Sequence, residues 1–481
     1  MKKEVIIALE TPFVARWFAD AVSIYARSHN VAVSLWLIGS AQGGSVMDRL
    51  LYLSPKLAAL FKKVDITGYF PVAGNDANFP VLDLCRRNVE TFPDKQTFIR
   101  KIRLQGGFLF TAGGLKGLWH FWVRFFVCGH PLLIETYPSS AFYGVFFQTR
   151  NFTFQKNTGY LRYNLTRLLD DLIFDSPHHF PSVETLKCND QKTLLKWMEY
   201  PFWRFIRKFR EKVAGGRWQL VRLDARTPET FHPGVHDVIH PPAGSGWADP
   251  FLVEKDDEVF LFFEEIVNGK GRIAAGTLDK QTGKWKSRPA VVLEKPTHLS
   301  YPFVFQIEGE WYMLPESSAS HEVTLYKSVE FPDKWEPFRT VFEGEQWVDT
   351  TPFFYNGKWW VFSVSKPAAY ASSYQELHLF YCDDILHDTW EPHPGNPVVS
   401  DVRYARPAGR LFFYEGKLYR PAQNCLHIYG GGVQLCEVLT LSGEAYREQV
   451  AGSVRFPWYS RLSSLHTLDM TEDIIIGDCF L

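Results

Sequence analysis

The sequence has almost no net charge, because its 52 Lys and Arg residues are balanced by 53 Asp and Glu residues. A protein without a positive field has no general attraction for phosphate backbones, so we expect no nucleic acid among its partners. The seven cysteines include no CxxC pair. This spacing argues against a zinc ribbon and against a disulfide framework, and we expect reduced thiols packed as small hydrophobic groups.

A long apolar run is missing from the start of the chain. The segment MKKEVIIALETPF begins with basic residues, but its apolar run is short and is interrupted by Glu10 and Pro12. It contains neither the apolar core nor the small-residue cleavage site of a signal peptide. We therefore interpret Val5 to Leu9 as a first buried strand and predict a cytoplasmic protein.

Four segments of the second half share one pattern: a proline, an aromatic run, a polar turn and a second β-rich run. The shared prolines are Pro250, Pro302, Pro352 and Pro407, at spacings of 52, 50 and 55 residues. The turns between the paired runs are Asp256-Asp257, Glu308-Gly309, Asn356-Gly357 and Glu415-Gly416. A period near 50 residues is typical of a propeller blade, whereas a β-sandwich would not need so regular a spacing.

A weaker fifth copy starts at Ser464, and the run Trp218-QLVRL can supply the strand that closes a ring against it. We therefore predict an all-β five-bladed β-propeller over residues 218–481.

The geometry of a propeller predicts which side chains meet at one mouth of its central channel. The residues just before the shared prolines begin the inner strands, and the following strands end near the same face. The inner-strand candidates are Asp249, Tyr301, Asp349, Thr350, Arg406 and His466, and the strand-end candidates are Glu264, Glu265, Glu316 and Gln423. Trp247 adds an aromatic ring. Carboxylates accept hydrogen bonds from sugar hydroxyls and aromatic rings cover apolar sugar faces, so the set predicts a polyol ligand.

A structural interpretation of the same residues stays open. An Asp before a proline often caps a turn, and polar residues at repeated positions can tie neighbouring blades together.

Residues 1–195 show no repeat. An apolar strand pattern at Val5, a helical pattern from Ala15 to Ser28 and a second apolar run from Val31 predict a Rossmann-like α/β domain. The domain contains neither a GxGxxG motif nor a P-loop lysine pattern, and we predict no cofactor. The histidines at 232, 236 and 240 are separated by prolines and a glycine, which makes a helix implausible there, and we predict no metal site.

Residues 196–217 are predicted to form a basic amphipathic helix and linker. Within residues 201–213, Phe202, Phe205 and Phe209 recur at helical spacing, and five Lys and Arg against one Glu surround them. This pattern is typical of a helix lying on an anionic membrane surface. A helix that docks its aromatic face on the propeller is the alternative.

The string WADPF around Asp249 resembles the five-bladed furanosidase-like propellers, which include arabinanases, xylosidases and invertase-like enzymes. In the arabinanase group a blade-one Asp acts as the base and a blade-three Asp tunes the pKa values of the site, and the resemblance implies these two roles for Asp249 and Asp349. The third position does not match, because the fourth blade begins with Arg406 where an acid is expected. Glu316 of the second blade is then the candidate acid.

A closer resemblance covers most of the propeller. The strings WADPF, SYPFVF, WYMLPES, WVDTTPFFYNGKWWVF and LHTLD are similar to the N-terminal domain of plant glucosamine inositolphosphorylceramide transferases. They are also similar to bacterial proteins in which such a propeller follows a formyltransferase-like domain. The segment Ile134-ETYPSSAFYG lacks the Asn and His of active formyltransferases, which implies a degenerate domain here.

We predict from these features a glycosyltransferase-like enzyme that transfers or remodels a sugar on a surface polysaccharide or glycolipid precursor. It would work in the cytoplasm or as a peripheral protein at the inner face of the membrane. Asp249, Asp349 and Glu316 would be catalytic, and Arg406 would hold a phosphate or carboxylate. A glycoside hydrolase and a non-catalytic glycan-binding module are the alternatives.

Overall fold

The computed structural model describes residues 3–9, 13–37, 63–68, 70, 81–83, 101–105, 132–137, 142–145, 165–166, 169, 217–223, 235–365, 373–426, 429–456 and 464–480. The chain divides into two compact units, Met1–Phe202 and Trp203–Leu481. The predicted basic helix at residues 201–213 lies outside the described residues. No helix among the described ranges is both long enough and apolar enough to cross a membrane.

The first unit contains a mixed sheet. Its elements are β1 (Lys3–Leu9), β2 (Phe13–Ala15), α1 (Arg16–Ser28), β3 (Val31–Leu37), β4 (Lys63–Asp65), a 3-10 turn (Ile66–Gly68), β5 (Val81–Asp83), β6 (Lys101–Gln105), β7 (Leu132–Tyr137) and β8 (Phe142–Val145). The sheet order is β3-β1-β5-β6-β7-β8, with parallel pairing from β3 to β6 and antiparallel pairing beyond. Helix α1 buries Phe18, Val22 and Tyr25 at helical spacing. The order strand, helix, parallel strand is the one that the hydrophobic pattern indicates, while the likeness to a formyltransferase stays a prediction.

The second unit is a five-bladed propeller, as the repeats predict. Blade I consists of β11 (Ser245–Lys255), β12 (Glu258–Val267), β13 (Lys270–Leu278) and β14 (Ala290–Leu293). Blade II consists of β15 (Ser300–Ile307), β16 (Glu310–Glu316), a 3-10 turn (Ser318–Ser320), β17 (Glu322–Glu330) and β18 (Lys334–Glu343). Blade III consists of β19 (Trp347–Tyr355), β20 (Lys358–Ser365), β21 (Glu376–Cys382), β22 (Glu391–Pro392) and β23 (Val399–Ser400).

Blade IV consists of β24 (Phe412–Tyr414), β25 (Lys417–Gln423), β26 (Val433–Leu441) and β27 (Tyr446–Val454). Blade V joins the two ends of the unit, because β28 (Leu468–Met470) and β29 (Ile475–Phe480) pair with β9 (Trp218–Leu223) and β10 (Val235–Ile239). Strand β9 runs antiparallel to β29, from Trp218 opposite Phe480 to Leu223 opposite Ile475. The predicted closing strand is therefore confirmed.

The predicted hairpin chemistry is present between the first two strands of blades I to IV. Asn356 and Gly357, for example, have φ values of 51° and 75°, which the backbone of a tight hairpin requires. The four cysteines among the described residues, Cys382, Cys425, Cys436 and Cys479, are free and buried, as expected of small hydrophobic groups.

A β-bulge lies near the start of the inner strand in blades I, II and III. Asp249, Tyr301 and Asp349 have φ values of 51°, 47° and 49°, and in each blade the inner strand carries one extra residue against its partner. The equivalent of Pro250 and Pro302 in blade III is therefore Thr350. The alignment on Pro352 is wrong by two residues, because Pro352 already belongs to the regular ladder opposite Val361.

Candidate functional site at the channel mouth

Asp249 is buried at the mouth within hydrogen-bonding distance of blades II and V. Its Oδ1 accepts a hydrogen bond from Thr467 Oγ1 at 2.5 Å, and its Oδ2 accepts one from the Tyr301 backbone N–H at 3.2 Å. His466 Nε2 lies 3.8 Å from Oδ1. Burial raises the pKa of Asp249 to about 6, although the positive charge of His466 lowers it. A carboxyl group with this pKa can accept a proton near neutral pH.

Asp478, on the second strand of blade V, was not singled out by the sequence. Its Oδ2 accepts the backbone N–H of Asp249 at 2.9 Å, and its Oδ1 accepts those of His466 and Thr467 at 2.9 and 3.1 Å. It also contacts His466 Nδ1. Burial lowers the pKa of His466, but Asp478 and Asp249 outweigh it and raise that pKa to about 9. The imidazolium ring stacks on Trp218 at 4.1 Å between ring centroids.

Among the residues that the structure describes, Asp249, His466 and Asp478 form a group that could hold a metal ion, since one ligand atom of each lies within 4.8 Å of the others. A metal needs the neutral imidazole as its ligand. The raised pKa of His466 favours the protonated ring, and the Asp478 oxygens already accept three backbone hydrogen bonds. The arrangement therefore fits a protonated imidazolium ring between two carboxylates better than it fits a metal ion.

Asp349 forms the other half of the mouth. Arg406 donates to it from Nε at 2.6 Å and from Nη2 at 3.2 Å, and Gln423 Nε2 donates to the same carboxyl group at 2.7 Å. Burial raises the pKa of Asp349 to about 7, while Arg406 lowers it. Because both oxygens are engaged, this group is suited to fixing charge and geometry.

Glu316 lies next to both Asp349 and Arg406. Its Oε2 accepts the backbone N–H of Asp349 at 3.2 Å and lies 3.7 Å from Arg406 Nη2, and its Oε1 accepts the Ser318 hydroxyl at 2.8 Å. These contacts favour positioning over proton donation, and the predicted role of Glu316 as acid stays a prediction.

Arg406 is buried between two tyrosines, with its guanidinium carbon 5.3 Å from the ring of Tyr374 and 5.2 Å from that of Tyr429. Burial opposes its charge, but Asp349 raises the pKa of the guanidinium well above its usual range. The role of holding a phosphate or carboxylate of the ligand stays a prediction. Two of the guanidinium nitrogens, Nε and Nη2, already donate hydrogen bonds to Asp349.

The strand register distinguishes Glu264 from Glu265. Glu264 lies opposite Ala248 beside the bulge of blade I, as Glu316 lies opposite Ser300 in blade II. Successive side chains of a strand point to opposite faces, so Glu264 shares the buried face with Asp249, whereas Glu265 pairs with Arg272 at 2.8 Å. The sequence prediction placed Glu265 in the site, and the register favours Glu264.

Three other predicted contact residues are packed against protein. Trp247 is buried, with its ring 4.8 Å from that of Phe263. The hydroxyl of Tyr301 bonds Thr351 Oγ1 at 2.9 Å and accepts the Gly409 N–H at 2.8 Å. The hydroxyl of Thr350 bonds Ser363 Oγ at 2.9 Å. These contacts agree with the structural interpretation, in which polar residues at repeated positions join strands and blades.

Residues 239–457, which span blades I to IV, match the family model described as "Glucosamine inositolphosphorylceramide transferase 1, N-terminal". The resemblance to this family is confirmed. The protein named glucosamine inositolphosphorylceramide transferase 1 from Oryza sativa subsp. japonica is 36% identical over 205 residues, which are 42% of this chain and 27% of the relative. Its namesake from Arabidopsis thaliana is 35% identical over 205 residues, which are 42% of this chain and 26% of the relative. The chain thus spans about a quarter of the length of the curated relatives that it matches.

Solved structures of glycoside hydrolases are also similar to the chain. A family 117 glycoside hydrolase of Zobellia galactanivorans has a TM-score of 0.36 and 12% identity, covering 55% of this chain and 90% of that one. The catalytic domain of a family 62 α-L-arabinofuranosidase of Coprinopsis cinerea has a TM-score of 0.35 and 14% identity, covering 49% and 90%. Likenesses of this size do not bear on activity.

Proposed function

We propose that this protein transfers or remodels a glycosyl group on a glycolipid or polysaccharide precursor, with the reaction taking place at the propeller mouth. The observation that carries the proposal is the excess of interacting carboxyl groups over positive charges. Five carboxyl groups lie near Arg406 and His466, and they belong to Asp249, Glu264, Glu316, Asp349 and Asp478.

Buried carboxyl groups that lie near one another cannot all ionise at little cost. The pKa of Asp249 is about 6 and those of Glu264 and Asp349 are about 7, in each case because burial raises them. At neutral pH the mouth therefore holds ionised and protonated carboxyl groups together. Chemistry at an acetal carbon uses this combination, since one group gives a proton and another accepts one or stabilises positive charge.

Asp249 is the proton acceptor or charge stabiliser in this proposal. Its backbone N–H and its side chain are both held, by Asp478 and by Thr467, so its position is set before a substrate binds. Asp349 orients the opposite side of the site and is itself held by Arg406 and Gln423.

The names of the relatives support a sugar-bearing lipid as the substrate class. A peripheral position at the inner face of a membrane, through residues 201–213, would bring such a lipid within reach. In this proposal the first unit is a degenerate formyltransferase-like domain that takes no part in the glycosyl chemistry.

Glycan binding without turnover is the second candidate function. The observation in its favour is that Asp349 and Glu316 are hydrogen-bonded at both oxygens to protein donors, as in a site that holds its groups in place.

The test compares the wild type with Asp249→Asn. Asp257→Asn is the matched control, because Asp257 is exposed at the hairpin turn of the same blade. Each protein is incubated with nucleotide sugars, inositolphosphorylceramide and 4-nitrophenyl furanosides, and products are identified by mass spectrometry. We expect turnover in the wild type and the control, and a loss of about 10²-fold or more in Asp249→Asn. A product formed with water instead of an acceptor would assign hydrolysis. Saturable glycan binding without any product would assign the binding module.

A further inference from the structure

We infer that Glu264, held by His298, gives the proton to the leaving oxygen of the sugar, so that the donor is a glycoside with an alcohol leaving group. This inference rests on the proposed function. It deepens that function by naming a catalytic residue in blade I and a class of donor.

Glu264 is close to the proposed base in the fold. It lies on β12 opposite Ala248, and Ala248 immediately precedes Asp249 at the bulge. Its carboxyl group is buried and interacts with the charges of Asp249 and His466. A carboxyl group in such a setting favours its neutral form, and only the neutral form can donate a proton.

His298 holds Glu264 from the segment between β14 and β15. The backbone N–H of Gly271 donates to His298 Nδ1 at 2.9 Å, so the ring proton of the neutral imidazole belongs on Nε2. Nε2 lies 3.0 Å from Glu264 Oε1. The side chain of His298 is 43% exposed, whereas that of Glu264 is 6% exposed. The half-exposed histidine therefore orients the buried carboxyl group through Nε2, while its Nδ1 is fixed by Gly271.

Gly271 shows how closely this pair is packed. A Cβ atom at this position would lie 2.3 Å from Glu264 Oε1 and 2.4 Å from the backbone oxygen of Leu299. Any side chain would displace the carboxyl group or the backbone that carries His298. The sequence thus places a glycine where the Glu264–His298 pair needs the space.

The other carboxyl groups at the mouth are less suited to giving a proton. Both carboxyl oxygens of Asp349 and of Glu316 already accept hydrogen bonds from protein donors. Burial raises the pKa of Glu264 to about 7, with the hydrogen bond from His298 opposing the change. The pKa of His298 is raised, with the Glu264 hydrogen bond as the largest cause. Asp249, His466 and Glu316 are the further charged groups that act on this pair.

The bond from the anomeric carbon to the leaving oxygen breaks, and that oxygen takes the proton of Glu264. The acceptor hydroxyl bonds to the anomeric carbon and passes its proton to Asp249. Glu264 ends ionised and Asp249 protonated, and exchange with solvent after product release returns one proton to Glu264 and takes one from Asp249. A phosphate leaving group would be stable without this proton, which is why the inference points to a glycoside.

The experiment measures Glu264→Gln and His298→Gln against the wild type. Glu258→Gln is the control, because Glu258 lies at the other end of the same strand with a side chain that is 45% exposed. For the sugar that the wild type turns over, methyl, 4-nitrophenyl and 2,4-dinitrophenyl glycosides are compared across pH 5–9. We expect Glu264→Gln to lower kcat/KM about 10²- to 10⁴-fold for the methyl glycoside and less than about 10-fold for the 2,4-dinitrophenyl glycoside. We also expect it to remove the fall in rate above about pH 7.

Equal losses for all three leaving groups, or an unchanged alkaline limb, would overturn the inference and leave Glu264 as a structural residue. Turnover that is lost in Asp249→Asn but normal in Glu264→Gln would overturn the inference alone. Absence of any turnover by the wild type would overturn the proposed function and the inference together. NMR titration of His298 distinguishes loss of the carboxyl group from loss of the fold. The pKa of His298 should fall in a folded Glu264→Gln protein and stay raised in Glu258→Gln.

Discussion

The Arg420–Glu448 ion pair offers a direct test of how blade IV is held together. Arg420 has no solvent-exposed surface, and it donates to Glu448 from Nε at 2.8 Å and from Nη2 at 2.6 Å. Its Nη2 and Nη1 also donate to the backbone oxygens of Tyr404 and Ala405, at 2.7 and 3.4 Å. These two residues immediately precede Arg406, so the pair supports the backbone that delivers Arg406 to the mouth.

Replacing Arg420 with Met removes the cation and leaves the Glu448 carboxylate buried without its partner. Loss of one member of a buried pair costs about 3–5 kcal/mol, so we expect Arg420→Met to lower the free energy of unfolding by that amount. The measurement is urea denaturation of the full chain at pH 7, followed by tryptophan fluorescence. Arg420→Met protein that still folds should also have a lower activity at the mouth than the wild type.

The double variant Arg420→Met with Glu448→Leu should recover most of the loss, because it leaves no uncompensated charge. Arg447→Ala is the control, since Arg447 is exposed on the same strand as Glu448 and should change stability by less than about 0.5 kcal/mol. A loss below about 1 kcal/mol for Arg420→Met would refute the reasoning. So would a double variant no more stable than the single one.

Three further predictions concern the mouth. Because the pKa of His466 is raised from 6.5 to about 9, its contribution to stability is complete below pH 6.5 and is lost as pH rises through about 9. The free energy of unfolding should therefore fall by about 2 kcal/mol between pH 7.5 and 9.5, and His466→Asn should show a flat profile there. Tyr301→Phe should lower the free energy of unfolding by about 1–3 kcal/mol, because it leaves Thr351 Oγ1 and the Gly409 N–H without the hydroxyl that joins them. Thermal unfolding measures this loss, and an unchanged midpoint would contradict the prediction. Gly409→Ala should lower the stability more than Tyr301→Phe does, since φ is 131° and a Cβ atom would lie 1.9 Å from the backbone oxygen of Leu468. Soluble Gly409→Ala protein that unfolds cooperatively at the wild-type midpoint would contradict this prediction.

The sequence by itself determined the architecture of the second unit. Four copies of one strand–turn–strand pattern specify four hairpins, and turn pairs such as Asn356-Gly357 require the backbone that a tight hairpin adopts. The period and the weak fifth copy were enough to predict five blades and the closing strand at Trp218. Asp249 and Asp349, predicted from their places near the shared prolines, both have positive φ values at the β-bulge of their inner strands, because repeated positions in repeated units occupy equivalent places in the ring.

Only the tertiary structure decided which neighbour of a pair faces inward and which distant residues complete the site. A shift of one residue along a strand moves a side chain to the opposite face, and this separates Glu264 from Glu265. In blade III the bulge falls at Thr350, two residues before the shared proline. Asp478 and His298 carry no motif, and they join the mouth through contacts with Asp249 and Glu264 that lie 229 and 34 residues away along the chain. Such contacts depend on strand register and on ring closure, which no short segment of sequence specifies.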